Sequence, residues 1–171
     1  MSDEKKRELA KKVEIGANVA IIIVAALIAV MFLRSYTKRS SDPQHTISPG
    51  TQFALKNVDW RSSEKSLVLA VSTTCHYCTE SAAFYRKVIA ECKQRGVRTV
   101  AVLPQPPAEA EAYLKGEGVA VDEVQQAVLP DLEINGTPTL LIVDQNGRVK
   151  SVWPGKLPGE KENEVMAKLT N

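Results

Sequence analysis

Cys75-His76-Tyr77-Cys78 gathers the residue types best suited to chemistry in this chain. Two cysteines at i and i+3 of a helix lie on one face, close enough to alternate between dithiol and disulfide. They follow an apolar run, Ser66-Leu67-Val68-Leu69-Ala70-Val71, and open a helical pattern. A strand that hands cysteines to the first turn of a helix makes one thiol acidic, because unpaired N–H groups and the positive end of the helix dipole stabilise a thiolate. That arrangement points to thiol–disulfide exchange. Further along, Thr137-Pro138 stands directly before a second apolar run.

Competing uses of the same residues are limited. A zinc half-site at Cys75 and Cys78 needs two more ligands, and the chain offers only Cys92, His76 and His45. Cys92 lies on the same predicted helix, roughly 21 Å from Cys78 by helical rise, too far for a disulfide. It shares an inward face with Tyr85 and Ile89, so it reads as a small apolar core residue. His76 stays open between two roles: an imidazolium that stabilises the neighbouring thiolate and raises the reduction potential, or a plain exposed residue of a first turn. Tyr77 is expected to shape the rim of the site. Trp60 and Trp153 could line a groove, with core packing the default for both.

The elements that must position these residues follow from periodicity. Thr51–Val58 predicts a short strand, with a turn through Asp59-Trp60-Arg61-Ser62. Ser66–Val71 is apolar throughout, as expected at the centre of a sheet. Cys75 to about Arg95 predicts a helix with Cys78, Ala82, Tyr85, Ile89 and Cys92 inward, ended by Gly96. Val97–Leu103 predicts a second buried strand, Ala108–Lys115 a second helix, and Asp122–Leu129 a short third one. Thr139–Val143 and Val149–Trp153 predict a hairpin in which Asn146-Gly147 supplies the positive φ angles of a tight turn. Gly159–Leu169 predicts the last helix. The order fits a mixed sheet covered by helices on both faces.

Length and composition bound the rest. The 171 residues, 44% hydrophobic and 25% charged, suit one ordinary domain plus an extra segment. A formal net charge of +2 implies no nucleic-acid partner. Three cysteines are too few for a disulfide-stapled scaffold. The extra segment is Ile15–Leu33, 19 residues without a charge, with Asn18 its one strongly polar side chain. It is long enough to span about 30 Å of hydrocarbon, shows no polar face, and is followed by Phe32-Leu33-Arg34-Ser35-Tyr36, which offers no small-x-small cleavage site. An uncleaved signal-anchor is expected, with residues 1–14 a cytoplasmic tail, 34–50 a polar juxtamembrane linker and 51–171 the folded domain. Lys5, Lys6, Arg7, Lys11 and Lys12 before the span outnumber Arg34, Lys38 and Arg39 after it, favouring a domain on the extracytoplasmic side. Exported compartments are also where disulfides persist.

A CxxC at a strand-to-helix junction, a later Thr-Pro opening a strand, and a closing hairpin and helix resemble the thioredoxin superfamily. With the expected anchor, the helix near 108–117 and the passage 135–147, the chain is similar to TlpA/ResA-type membrane-tethered thiol–disulfide oxidoreductases over residues 51–171. The resemblance implies an α/β fold, a thioredoxin-like mixed β-sheet flanked by helices, here preceded by one transmembrane helix. It implies that Thr137-Pro138 is a cis peptide facing the cysteines. Proline is the residue for which that isomer is cheap. Cys75, nearer the helix start, is expected to be the attacking thiolate and Cys78 the resolving thiol. Thr137, Pro138, His76 and Tyr77 are expected to contact substrate, Thr137 through its backbone.

Three departures stand out. Thr74 precedes the first cysteine where tryptophan is common, no proline lies between the cysteines, and Leu69 occupies a position where some relatives carry a buried acid. Glu80 and Glu133 are candidate helper carboxylates. The expected function is reduction of extracytoplasmic protein disulfides in the inner membrane, recharged by an integral membrane electron donor, with no cofactor or metal. An oxidase of the same fold is the alternative. A copper-delivery module is disfavoured because no histidine follows His76, and a peroxidase because it needs one isolated activated cysteine.

Overall fold

The computed structural model describes residues 46–170, together with Val24, Leu27 and Ile28. The expected tail, most of the span and most of the linker therefore lie outside the described residues. Val24, Leu27 and Ile28 are helical and exposed. Among the described residues no helix is long and apolar enough to cross a membrane.

The folded domain is an α/β sandwich. Strands β1 (Lys65–Ala70), β2 (Arg98–Leu103), β3 (Glu123–Gln126), β4 (Thr139–Asp144) and β5 (Val149–Pro154) form one sheet in the order β3-β2-β1-β4-β5. β1 runs parallel to β2 and antiparallel to β4, so the sheet is mixed, as expected. Its centre explains the unbroken apolar runs: alternate residues point to opposite faces, and both faces are covered. Leu67, Leu69 and Val71 enter one cluster, Val68 and Ala70 the other. Each Leu or Val among them, fully buried, contributes about 1.5–3 kcal/mol of transfer free energy.

Helices α1 (His76–Glu80), α2 (Ala82–Arg95), α3 (Pro107–Gly116) and α4 (Gly159–Thr170) flank the sheet. All four pack on one face, which corrects the expectation of helices on both. Buried residues of all four join the cluster of Leu67 and Leu69. The other face is covered by Ile47, Phe53 and Leu55 from the entering chain and by Leu129 and Leu132 of a 3-10 turn.

Several expectations need correction. The single helix from Cys75 is two, meeting at Ser81, whose hydroxyl donates to the Tyr77 carbonyl at 2.8 Å and competes with regular helix bonding. Asp122–Leu129 holds no α-helix: Glu123–Gln126 is strand β3, and Leu129 already opens the 3-10 turn. Asp122 accepts from Thr99 N at 2.8 Å and Thr99 Oγ1 at 2.7 Å, delivering the next residues to the free edge of β2 in register Val100↔Glu123. Thr51–Val58 buries alternate residues as a strand would, yet pairs only through one bridge, Gln52↔Arg148.

Two boundaries shift as well. The domain begins before Thr51, in a compact unit spanning Gln44–Asn171: Ile47 is buried and its N–H meets the Glu133 carbonyl at 2.9 Å. The β4–β5 loop is wider than a two-residue hairpin. The Asp144 carboxylate accepts from Asn146 N and Arg148 N, and only Gly147 takes a positive φ, +74°. A Cβ at Gly147 would meet the flexible end of Gln52 at 2.7 Å and the Trp60 ring at 3.1 Å, so a side chain there would have to displace both, but the positive φ is what favours glycine.

Candidate active site

β1 ends in the short loop Val71-Ser72-Thr73-Thr74, which carries the chain to Cys75 at the N-cap of α1. The loop is held from the neighbouring connection. Gln105 donates to Ser72 Oγ at 3.0 Å and accepts from Thr73 N at 3.4 Å, while Thr73 Oγ1 donates to Glu109 of α3 at 2.8 Å. Ser72 and Thr74 hydroxyls lie 3.1 Å apart, and Cys75 N–H donates to the Ser72 carbonyl at 3.1 Å. These contacts fix where the first cysteine emerges.

Cys75 and Cys78 form a disulfide, with Cα atoms 5.2 Å apart. The two sulfurs have unlike surroundings. Cys75 is half-buried, accepts a hydrogen bond from Cys78 N–H at 3.2 Å, and lies 3.3 Å from the Thr137 carbonyl oxygen. A disulfide sulfur has no proton, so the Thr137 contact becomes an S–H···O bond only in the thiol form. Cys78 is fully buried in the cluster of Leu69, Ala82 and Tyr85. The outward sulfur is thus the one a partner can reach, and the amide beside it favours negative charge there.

Thr137–Pro138 is a cis peptide bond, as the resemblance implied. Its loop is tied on both sides: Thr139 Oγ1 donates to the Gly136 carbonyl at 2.8 Å, and Gly155 N–H donates to the Pro138 carbonyl at 2.7 Å. Gly155 sits at φ +78°, a conformation open to glycine, just beyond β5. Four of the expected site residues, Cys75, Cys78, Thr137 and Pro138, therefore converge.

His76 and Tyr77 lie on the exposed rim. His76 Nε2 is 3.0 Å from Glu80 Oε1, and Lys156 Nζ donates to Glu80 Oε2 at 2.8 Å. The Lys156 hydrogen bond holds the Glu80 carboxyl below its ordinary range, with His76 adding to the effect. Glu80 is thus an exposed, paired carboxylate. Glu133 belongs to the loop after the 3-10 turn, at φ +58°. Leu69 is buried, and no Asp or Glu is buried among the described residues. Cys92 is buried, and burial pushes its thiol up to about 12. Trp153 is core, donating to Glu164 at 3.2 Å, and Trp60 packs edge-on to Phe53 at 5.9 Å. Among the described residues no group of three or more His, Cys, Asp or Glu is placed to hold a metal, and His45 lies outside them.

Sequence reasoning missed Gln105, Glu109, Gly155 and Lys156. Gly155 carried a signal, a glycine just past the last strand. The others carried none.

The architecture and the cysteine pair together define a thioredoxin-fold thiol–disulfide exchange protein, and comparison with known proteins agrees. The Redoxin family model matches residues 41–169, so the chain belongs to the Redoxin family, within the thioredoxin superfamily, and is a thiol–disulfide oxidoreductase. No curated protein sequence gives a significant match. Solved structures share the fold at low identity. The thioredoxin domain of a thiol-disulfide oxidoreductase from Bacteroides vulgatus is 17% identical, with 74% of this chain and 100% of that one covered at a TM-score of 0.58. A thiol:disulfide interchange protein of the thioredoxin family from Chlorobium tepidum is 19% identical, covering 77% and 100% at 0.53. A thiol-disulfide isomerase from Corynebacterium glutamicum is 15% identical, covering 72% and 91% at 0.53.

Proposed function

We propose that the protein reduces disulfides of extracytoplasmic proteins through Cys75 and Cys78, held at the membrane by Ile15–Leu33. The observation that carries this reading is the asymmetry of the pair: Cys75 half-exposed at an N-cap 3.3 Å from the Thr137 carbonyl, Cys78 fully buried behind it. In the dithiol state the Cys75 thiolate attacks one sulfur of a substrate disulfide. The Cys75–substrate mixed disulfide forms, and the other substrate sulfur leaves as a thiolate that takes a proton. Cys78 then loses its proton and attacks the Cys75 sulfur, releasing the second substrate thiol. Two electrons pass to the substrate, and the Cys75–Cys78 disulfide remains.

An extended substrate segment lies along the Thr137–Pro138 loop and pairs with the Thr137 backbone, with His76 and Tyr77 on the rim beside it. The spent disulfide needs an external dithiol, and a membrane tether suits an integral membrane electron donor. The charge-free span and the excess of Lys and Arg before it support the tether and the extracytoplasmic side.

Insulin reduction by the full-length protein in detergent tests the chemistry, and turnover that survives Cys75→Ser rules it out. Direction is tested by the reduction potential. A value near −270 mV supports a reductase, and one near −120 mV would turn the reading toward an oxidase.

A further inference from the structure

His76 is the first residue of α1, and its side chain is 78% exposed. It does not fold back over the helix start. Its Nε2 reaches along the helix to Glu80 Oε1, 3.0 Å away at i+4, on the last residue of α1. Cys75 Sγ lies at the opposite end, against Cys78 N–H and the Thr137 carbonyl. Glu80 is itself fixed from a second element. Its other oxygen, Oε2, accepts from Lys156 Nζ at 2.8 Å, in the loop whose Gly155 N–H holds the Pro138 carbonyl. His76 and Lys156 are the basic side chains that meet the Glu80 carboxylate among the described residues.

We propose that Glu80, braced by Lys156, is a positioning residue that holds His76 along α1 and keeps its charge from serving the Cys75 thiolate. An imidazolium beside a thiolate stabilises the reduced form, and a stabilised reduced form raises the reduction potential. With Nε2 engaged by a carboxylate, that gain is withheld and the pair stays more reducing. The sign suits a donor of electrons. It also resolves the two roles the sequence left open for His76, since the same side chain is a thiolate partner or a spectator according to what holds its ring. This inference rests on the proposed role of Cys75 as the reacting thiol and on the reductive direction.

Redox equilibration of the full-length protein with glutathione, read by alkylation and mass, tests it in wild type, Glu80→Gln, His76→Gln and the double variant. Releasing His76 in Glu80→Gln should shift the equilibrium toward the dithiol by roughly threefold, the scale of one exposed charge pair. Converted at 29.6 mV per tenfold, that is about 14 mV less negative. In the His76→Gln background the same Glu80 substitution should give a clearly smaller shift, and Glu80→Asp should recover part of the wild-type value. An equal shift with and without His76 means simple removal of a negative charge, and overturns the proposal. No shift in Glu80→Gln overturns it too. In both cases insulin turnover that depends on Cys75 leaves the proposed function standing. A pair that does not titrate at all brings down both.

Discussion

Cys75 at the N-cap of α1 and Cys92 within the following helix α2 are two cysteines at opposite ends of one stretch of chain, and almost everything around them differs. Cys75 sits at the N-cap, half-exposed, with an amide donor at 3.2 Å and a carbonyl at 3.3 Å. Cys92 sits within α2, fully buried in the apolar cluster, with its thiol pushed up to about 12 by burial and by the nearby charges of Asp122 and Glu91. One chemical group is thus made available for exchange and the other withheld from it. Position relative to the helix start and to the Thr137 loop decides which.

Breaking the reactive end should have the largest effect. Cys75→Ser should cut insulin turnover by about a thousandfold or more, to background, because the attacking atom is gone. Cys92→Ala should keep turnover near wild type. A large loss in Cys92→Ala, with the fold intact by circular dichroism, would mean the buried thiol takes part after all.

Alkylation sharpens the same contrast on the unaltered chain. At pH 8 a thiol with its pKa near 12 is ionised in only about one molecule in 10⁴, and burial adds a barrier to the reagent. Iodoacetamide should therefore modify Cys75 of the reduced protein at least about a hundredfold faster than Cys92. Peptide mapping reads both sites in one experiment, and comparable rates would erase the difference.

The withheld thiol also leaves a mark on stability. Cys92 keeps its proton in the folded state well above the ordinary value of 9.0, so the unfolded chain binds fewer protons through that range. Stability then falls as pH rises. The contribution is present in full below about 9 and is lost toward about 12. Tyr85 acts in the same sense from 10.0 to about 12, again through burial. The urea midpoint should decline from pH 9 to 11, less steeply in Cys92→Ala. Parallel declines in the two proteins would remove Cys92 from the account.

The reactive end was more legible in the sequence than its supports. The Cys75–Cys78 pair, the strand before it and the Thr137–Pro138 turn all announce themselves locally, through spacing, an apolar run and a residue with one special conformation. The Glu80–Lys156 bond joins positions 76 apart and depends on where the chain after β5 comes to rest. Gln105 and Glu109 reach the Cys75 loop only because β2 and α3 lie beside it. Asp122–Leu129 misled for a related reason. Its Glu, Gln and Ala residues favour a helix in isolation, but the open edge of β2 offers a ladder of backbone partners that local preference does not know about. At Ser81 a single hydroxyl interrupts a pattern that periodicity alone carries straight through.

Tyr85 lies seven residues from each inward cysteine, and it tests where the boundary between the two ends falls. Its hydroxyl is buried and meets no partner at good hydrogen-bond geometry; the Ser81 hydroxyl, which donates to the Tyr77 carbonyl, is the side chain whose hydrogen bonding still reaches it. A buried hydroxyl left unpaired costs about 1–3 kcal/mol relative to one that is satisfied, so deleting it should relieve rather than remove a contact. Tyr85→Phe keeps the ring and should leave urea stability unchanged or raise it by up to about 1 kcal/mol, with insulin turnover unaltered. That outcome assigns Tyr85 to the packing of the withheld end. A fall in turnover at unchanged stability would instead place the hydroxyl in service of Cys78, which shares its cluster and has no buried acid beside it among the described residues. The reactive region would then extend two turns further into the helix than the sulfur contacts alone define.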